Sequence, residues 1–198
     1  DGGGLFGEVK RIQTRYEDTL IQLARQHSLG YEELLRVNKG VDPWLPGAGT
    51  EILIPGQRLL PPGVREGIVV NLPEHRLFYF PKPEKGKPPV VLTFPVSVGK
   101  MDWNTPLGVT KVVRKQKNPP WYPPESVRKE HIKRGDPPLP AVVPAGPDNP
   151  LGTRSMRLDI PGGAYLIHGT NNPDAVGMAI THGCLRMYPE DIERLFDL

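Results

Sequence analysis

Thr181-His182-Gly183-Cys184-Leu185-Arg186-Met187, with Ile167-His168-Gly169-Thr170 just upstream, is the stretch on which the reading of this chain turns. It contains the only cysteine of the protein and two of its five histidines. A thiol attacks as thiolate, so a nucleophilic cysteine needs a base nearby. It also needs N–H donors for the oxyanion that forms on attack. Gly183 immediately before Cys184 lets the backbone approach a substrate closely. Arg186 adds a positive charge that favours the thiolate. One short segment thus offers nucleophile, base and oxyanion donors. Two blander readings compete. A lone cysteine can be an inert small hydrophobe, although Gly, His and Arg neighbours do not resemble an apolar core strand. A zinc site would use one Cys and two His, but neither CxxC nor HxxxH spacing is present.

Around this segment, composition sets limits. With 198 residues the chain can bury one substantial core, or a small domain and a medium one. Its 25 Pro and 22 Gly imply many rigid turns and argue against a helical bundle. The net charge is +3 and the basic residues are scattered, which gives nucleic-acid binding little support. No run approaches the ~18 apolar residues of a membrane span. The first residues, Asp1-Gly2-Gly3-Gly4, read as a processed start or a cloning remnant. In an oxidising compartment, Cys184 has no intramolecular partner and is a candidate reactive thiol.

Upstream of the motif the periodicity changes along the chain. Residues 8–16 read as a strand. Asp18 offers an N-cap to a helix carrying Leu20, Leu23 and Ala24 on one face, ended by Gly30. A second helix, Tyr31 to Val37, directs Leu34, Leu35 and Val37 inward, and Glu51 to Gly56 returns as a strand. Leu59-Leu60-Pro61-Pro62-Gly63 is a stiff linker. Strands are then expected at 68–72, 76–80, 90–98, 109–115, 156–160 and 164–167, with Pro73-Glu74-His75 as a hairpin turn. Short strands punctuated by Pro and Gly suggest a β-sandwich or open barrel. Pro189 opens a last helix with Ile192, Leu195 and Phe196 on one face, expected to pack on the sheet near the cysteine. The fold class is α+β. The proline-rich stretch from Asn118 to Pro150, with Trp121 and Tyr122, reads as a lid or binding wall. His27 and His75 are expected to be solvated, and His131 has no assigned role.

The motif resembles the signature of YkuD-type L,D-transpeptidases: His-Gly, a spacer, then Ser/Thr-His-Gly-Cys, an aliphatic residue, and Arg or Asn. Here these are His168-Gly169 and Thr181-His182-Gly183-Cys184-Leu185-Arg186. The Arg is similar to the ErfK/YbiS-type branch. Ser97-Val98-Gly99 and Thr105-Pro106-Leu107-Gly108 resemble a second signature of the family. Residues 8–60 resemble a LysM module, through Asp18-Thr19-Leu20, Ala24, Leu34-Leu35, Asn38 and Ile54-Pro55-Gly56, although Glu17 and the long Trp44–Gly49 insert depart from it. The implied organisation is a LysM-like module at 8–60 and a catalytic domain at 64–198.

The resemblance implies an acyl transferase of the bacterial wall that needs no cofactor or metal. Cys184 would be the nucleophile, His168 the general base and the Gly169 carbonyl its orienter. Gly183 and Cys184 amides would form the oxyanion hole, Thr181 and His182 would shape it or bind substrate, and Arg186 would hold a substrate carboxylate or make a structural ion pair. Expected partners are peptidoglycan stem peptides and glycan strands, with a wall-anchored lipoprotein as one acceptor, and the expected place is the periplasm. Water could instead resolve the thioester, making a hydrolase. A catalytically silent peptidoglycan-binding protein is the reading from a different class.

Overall fold

The computed structural model describes residues 4–100 and 104–198, so residues 1–3 of the expected processed start lie outside it. The chain is α+β and divides into two compact units, Asp1–Val96 with Asp174–Met178, and Ser97–Pro173 with Ala179–Leu198. Among the described residues, no helix is long and apolar enough to cross a membrane.

The first unit runs β1 (Leu5–Phe6), β2 (Val9–Gln13), α1 (Leu20–Gln26), α2 (Tyr31–Val37), β3 (Glu51–Pro55), β4 (Arg58–Leu59), β5 (Gly67–Asn71), β6 (Arg76–Phe80) and β7 (Leu92–Pro95). β2 and β3 pair antiparallel from Val9↔Pro55 to Gln13↔Glu51. The two helices between them close a core of Leu20, Leu23, Ala24, Leu29, Leu34, Ile52 and Ile54. Burial of each Leu or Ile there contributes about 1.5–3 kcal/mol. Asn38, itself buried, ties the unit together: its Nδ2 donates to the carbonyls of Leu34 and Leu53 (both 2.9 Å), and its Oδ1 accepts from Leu53 N (2.8 Å).

Two details of this region differ from the sequence reading. The N-cap of α1 is Thr19, whose hydroxyl accepts from Gln22 N at 3.2 Å. Asp18 instead closes the preceding turn by accepting from Arg15 N at 2.7 Å. Val37 is exposed, because the stripe of α2 centres between Leu34 and Leu35 and Val37 falls off its edge.

β5, β6 and β7 form an antiparallel sheet, with Ile68↔Tyr79 and Leu77↔Phe94 among its pairs. His75, in the β5–β6 turn at φ 51°, is not simply solvated. Its Nδ1 donates to the carbonyl of Gly177 at 2.5 Å. Gly30 does not merely end α1. It is the N-cap residue of α2 and lies against Gly177, where a Cβ on Gly177 would fall 2.7 Å from the Gly30 Cα. With φ +94° at Gly177, only glycine meets both demands.

The second unit contains β8 (Val98–Gly99), β9 (Val112–Lys117), α3 (Glu125–Lys133), β10 (Arg154–Leu158), β11 (Leu166–His168), β12 (Ala179–Thr181), β13 (Leu185–Arg186) and α4 (Pro189–Asp197). Its main sheet has the order β13-β11-β10-β9, with β11 and β13 parallel and the other pairs antiparallel. β8 and β12 form a separate parallel pair. The expected long strand over 90–98 is broken in two: Pro95 has no N–H for a ladder, and the chain leaves one sheet for another.

Alternation gives the main sheet two chemistries. One face presents Met156, Ile167 and Leu185, buried on the same side as Ile192, Leu195 and Phe196 of α4. Lys115 closes that side by donating to the Phe196 carbonyl and lying 4.4 Å from its ring centroid. The other face carries the polar residues described next.

Candidate active site

Strand pairing, not sequence proximity, assembles the site. Across the sheet, Gln116, Ser155, His168 and Arg186 form one row through the pairs Ser155↔Gln116, Ser155↔His168 and His168↔Arg186. Arg114, Arg157 and Leu166 form the next. Cys184 lies two residues before Arg186 and so shares its face. All these side chains line one cavity of about 690 Å³. Cys184 carries a free thiol whose Sγ lies 3.6 Å from the carbonyl of Ala164.

The Cys184 turn is fastened from three sides. Thr181 is buried, and its hydroxyl donates to the Cys184 carbonyl at 2.6 Å while accepting from Gly183 N at 3.2 Å. Thr105 donates to the Gly183 carbonyl at 3.0 Å and accepts from Gly99 N at 3.1 Å. Ser97 and Arg186 exchange backbone hydrogen bonds of 2.8 and 3.1 Å. The two stretches that resemble a family signature, Ser97–Gly99 and Thr105–Gly108, therefore brace the cysteine turn. Gly183 itself has φ +107°, and a Cβ there would lie 2.9 Å from the Tyr165 ring. The Gly183 amide is engaged by Thr181 in this arrangement, so the oxyanion reading rests on the Cys184 amide.

His168 is buried, and its Nδ1 is 2.6 Å from the Gly169 carbonyl. A carbonyl can only accept, so Nδ1 carries the proton and Nε2 keeps a lone pair. Gly169 is packed tightly enough that a Cβ would fall 3.1 Å from Ile192 Cγ2, which couples the imidazole's orienting carbonyl to α4. Burial, reinforced by the Arg186 charge, pushes His168 down from its ordinary 6.5 to about 4, against the opposing bond to Gly169. Burial also pushes the Cys184 thiol up. The Leu166 backbone and the Arg186 guanidinium act in the opposite direction, as a positive charge should, but burial outweighs them. The resting pair is thus a neutral thiol and a neutral imidazole, with the proton free to move on attack. Arg186 Nε is buried and has no hydrogen-bond partner among the described residues, so its N–H is available to a ligand.

The proline-rich stretch from Asn118 to Pro150 forms a wall of the same cavity through Trp121, Tyr122, Val127 and Glu130. It contains α3, where the sequence pattern predicts only loop. No residue of α3 is buried, so it has no apolar stripe to reveal it; Pro124 as its N-cap residue was the one available signal. Glu130 on α3 reaches the motif: Oε2 is 2.6 Å from His182 Nε2, and Oε1 is 2.8 Å from Lys100 Nζ. Ser126 Oγ lies 3.4 Å from His182 Nδ1. His182 is thus a tether for the wall. Burial lowers its pKa, while Glu130 opposes that. His131 faces away from this network, its Nδ1 donating to the Pro137 carbonyl at 2.8 Å. Among the described residues, no group of three or more His, Cys, Asp or Glu side chains is placed to hold a metal ion.

A family model, the L,D-transpeptidase catalytic domain YkuD, matches residues 65–198. The chain belongs to the YkuD family. The YkuD chain is 42% identical over 198 residues to Probable L,D-transpeptidase YcfS of Escherichia coli K12, covering 98% of this chain and 60% of that protein. It is 40% identical over 200 residues to Probable L,D-transpeptidase YbiS of the same strain, covering 100% of this chain and 63% of that protein. It is also 40% identical over 200 residues to that strain's Probable L,D-transpeptidase ErfK/SrfK, covering 100% of this chain and 62% of that protein. The chain therefore spans about 60% of the length of these curated relatives. The ErfK/YbiS-like character expected from the Arg after the aliphatic residue agrees with these likenesses.

Proposed function

We propose that the protein is a peptidoglycan L,D-transpeptidase working in the periplasm, with Cys184 as nucleophile and His168 as base. The observation that carries this reading is one cavity lined by Cys184, His168 and Arg186, with the His168 tautomer set by the Gly169 carbonyl. Cys184 Sγ attacks the carbonyl that links the third residue of a stem tetrapeptide to its terminal D-alanine, and its proton passes to His168 Nε2. The Cys184 amide stabilises the oxyanion. The C–N bond breaks, His168 returns the proton to the departing D-alanine amine, and a thioester remains. An acceptor amine then attacks the thioester. His168 takes the amine's proton and delivers it to the departing thiolate, so the enzyme is restored and an amide is made. The acceptor is another stem's side-chain amine, a free amino acid or a lysine of a wall-anchored lipoprotein.

Arg186, whose Nε has no partner among the described residues, pairs with a substrate carboxylate in this scheme. The wall of Trp121 and Tyr122, tethered through Glu130 and His182, limits water at the thioester and so favours transfer over hydrolysis. The β2–α1–α2–β3 unit within residues 8–60 is a LysM-like binder of glycan strands that holds the 64–198 domain against the wall polymer; its strand–helix–helix–strand order and single core support this.

Intact-mass analysis after incubation with a disaccharide-tetrapeptide tests the catalytic reading. The expected result is a thioester adduct and D-alanine release with the wild type, and neither with Cys184→Ala or His168→Ala. Folded wild-type protein that forms no adduct and releases no D-alanine refutes it.

A further inference from the structure

The row of the sheet beyond the catalytic one holds an arrangement that the proposed chemistry does not use. Arg114 on β9 and Arg157 on β10 are direct cross-strand partners. Both point into the cavity that contains Cys184. Like charges placed opposite each other on one face of an antiparallel pair repel and destabilise the ladder. No carboxylate among the described residues neutralises this pair. Among the described residues, neither arginine makes an ion pair. Among the described residues, the carboxylate that lines the cavity, Glu130, is already engaged by Lys100 and His182. A pair of guanidiniums held side by side on rigid strands, with no acid paired to them among the described residues, matches the geometry of a bound carboxylate, which accepts from such forks bidentately.

The sheet also gives the reach. β10 is two strands from β13 and β9 is three. At a spacing of roughly 4.8 Å per strand, the two guanidiniums are rooted roughly 10 and 14 Å from the strand that follows Cys184. An extended peptide covers about 3.4 Å per residue, so a carboxylate about three to four residues from the attacked bond falls at the pair. Gln116 and Ser155 lie in the adjacent row, on the same face, and offer neutral hydrogen bonds beside that path.

We propose that Arg114 and Arg157 form a second carboxylate subsite, distinct from Arg186, that selects acidic peptides and sets their register over Cys184. This rests on the transpeptidase reading for the identity of the peptide. The carboxylate belongs either to the acyl donor or to the incoming acceptor.

The test uses the full chain with Cys184→Ala, which binds without reacting, and calorimetric titration with a stem tetrapeptide. A second titrant is the same peptide amidated at its non-reacting carboxylates. The variants are Arg114→Gln, Arg157→Gln, the double change, and Lys117→Gln. Lys117 is on the same strand but on the opposite face, so it controls for diffuse charge. Both arginines are exposed and mutually repelling, so the substitutions should leave the thermal midpoint unchanged or raise it. If the donor supplies the carboxylate, each single change should weaken the tetrapeptide about fivefold and the double change at least about twentyfold, a range that allows for solvent screening. The amidated peptide should be insensitive to all of them, and Lys117→Gln should have less than about a twofold effect.

If the acceptor supplies it, donor binding is unchanged. In protein that keeps Cys184, the double variant then slows thioester resolution by a carboxylate-bearing amine, and not by its amide, by a similar factor. Unchanged binding together with unchanged resolution overturns the subsite, as does equal loss with Lys117→Gln. If the tetrapeptide does not bind at all, the transpeptidase reading fails, and titration with glutarate still decides the subsite. Shifts of the Arg114 and Arg157 Nε–H signals that vanish in the double variant support it, and unmoved signals overturn it.

Discussion

His168 makes the neutral imidazole a property of the fold, and that can be read as stability against pH. In the folded chain its pKa lies at about 4, with burial as the main cause and Arg186 as the second. In the unfolded chain it returns to about 6.5. Between these values the unfolded state binds the proton and the folded state does not, so stability falls as pH falls through that window. At pH 7 both states are neutral and the contribution is below about 0.3 kcal/mol; at pH 4.5 the residue costs ~2.5 kcal/mol, from the two pKa values and the linkage relation. The perturbation is His168→Asn, chosen because an Asn amide can still donate to the Gly169 carbonyl. Urea unfolding of wild type and variant at pH 7 and pH 4.5 gives four free energies. The wild type should lose ~2.5 kcal/mol more than the variant on acidification. Equal losses would refute the buried, neutral imidazole. The kinetic counterpart has the same sign: with His168 as base, the acid limb of acylation should lie near pH 4 and not near 6.5.

Other outcomes follow from individual contacts. Glu130→Gln removes the carboxylate that holds both His182 and Lys100. It should lower the thermal midpoint little, since such partly exposed pairs contribute about 1 kcal/mol or less, while raising the fraction of thioester lost to water; an unchanged ratio of hydrolysis to transfer would show that the wall needs no tether. Gly183→Ala forces a side chain into φ +107° and against the Tyr165 ring. Acylation should fall at least about a hundredfold while far-UV dichroism is retained, and near-normal activity would contradict the tight turn. Asn38→Ala removes three hydrogen bonds of a buried amide. It should destabilise the first unit by ~3 kcal/mol, read by urea unfolding, and a loss under about 1 kcal/mol would show that the α2–β3 tie is dispensable. Arg186→Gln removes the charge that lowers both the thiol and the imidazole pKa. The alkaline and acid limbs of acylation should both move to higher pH, and fixed limbs would mean that the charge is screened from the pair.

What the sequence by itself determined was the local elements and the reactive groups of the candidate site. Leu20, Leu23 and Ala24, Tyr31 to Val37, and Ile192, Leu195 and Phe196 mark helices because an apolar stripe at helical period must be buried to form. Arg76 to Phe80 was legible as a strand from its β-prone run beside a turn. Cys184, His168 and Arg186 were legible as candidates because the motif places a thiol, an imidazole and a guanidinium within 19 residues. α3 was not, because all its residues face solvent or the cavity and no periodic pattern records it. Nor were the roles of Glu130, Thr105 and Gly177, each of which acts on a partner 52 to 102 residues away. The register of β9 on β10 joins Arg114 to Arg157, and only that pairing reveals two cations with no acid paired to them among the described residues. The side-chain period of a strand shows which residues share a face; which strand lies beside it is decided by tertiary packing, and the electrostatics of this site follow from that choice.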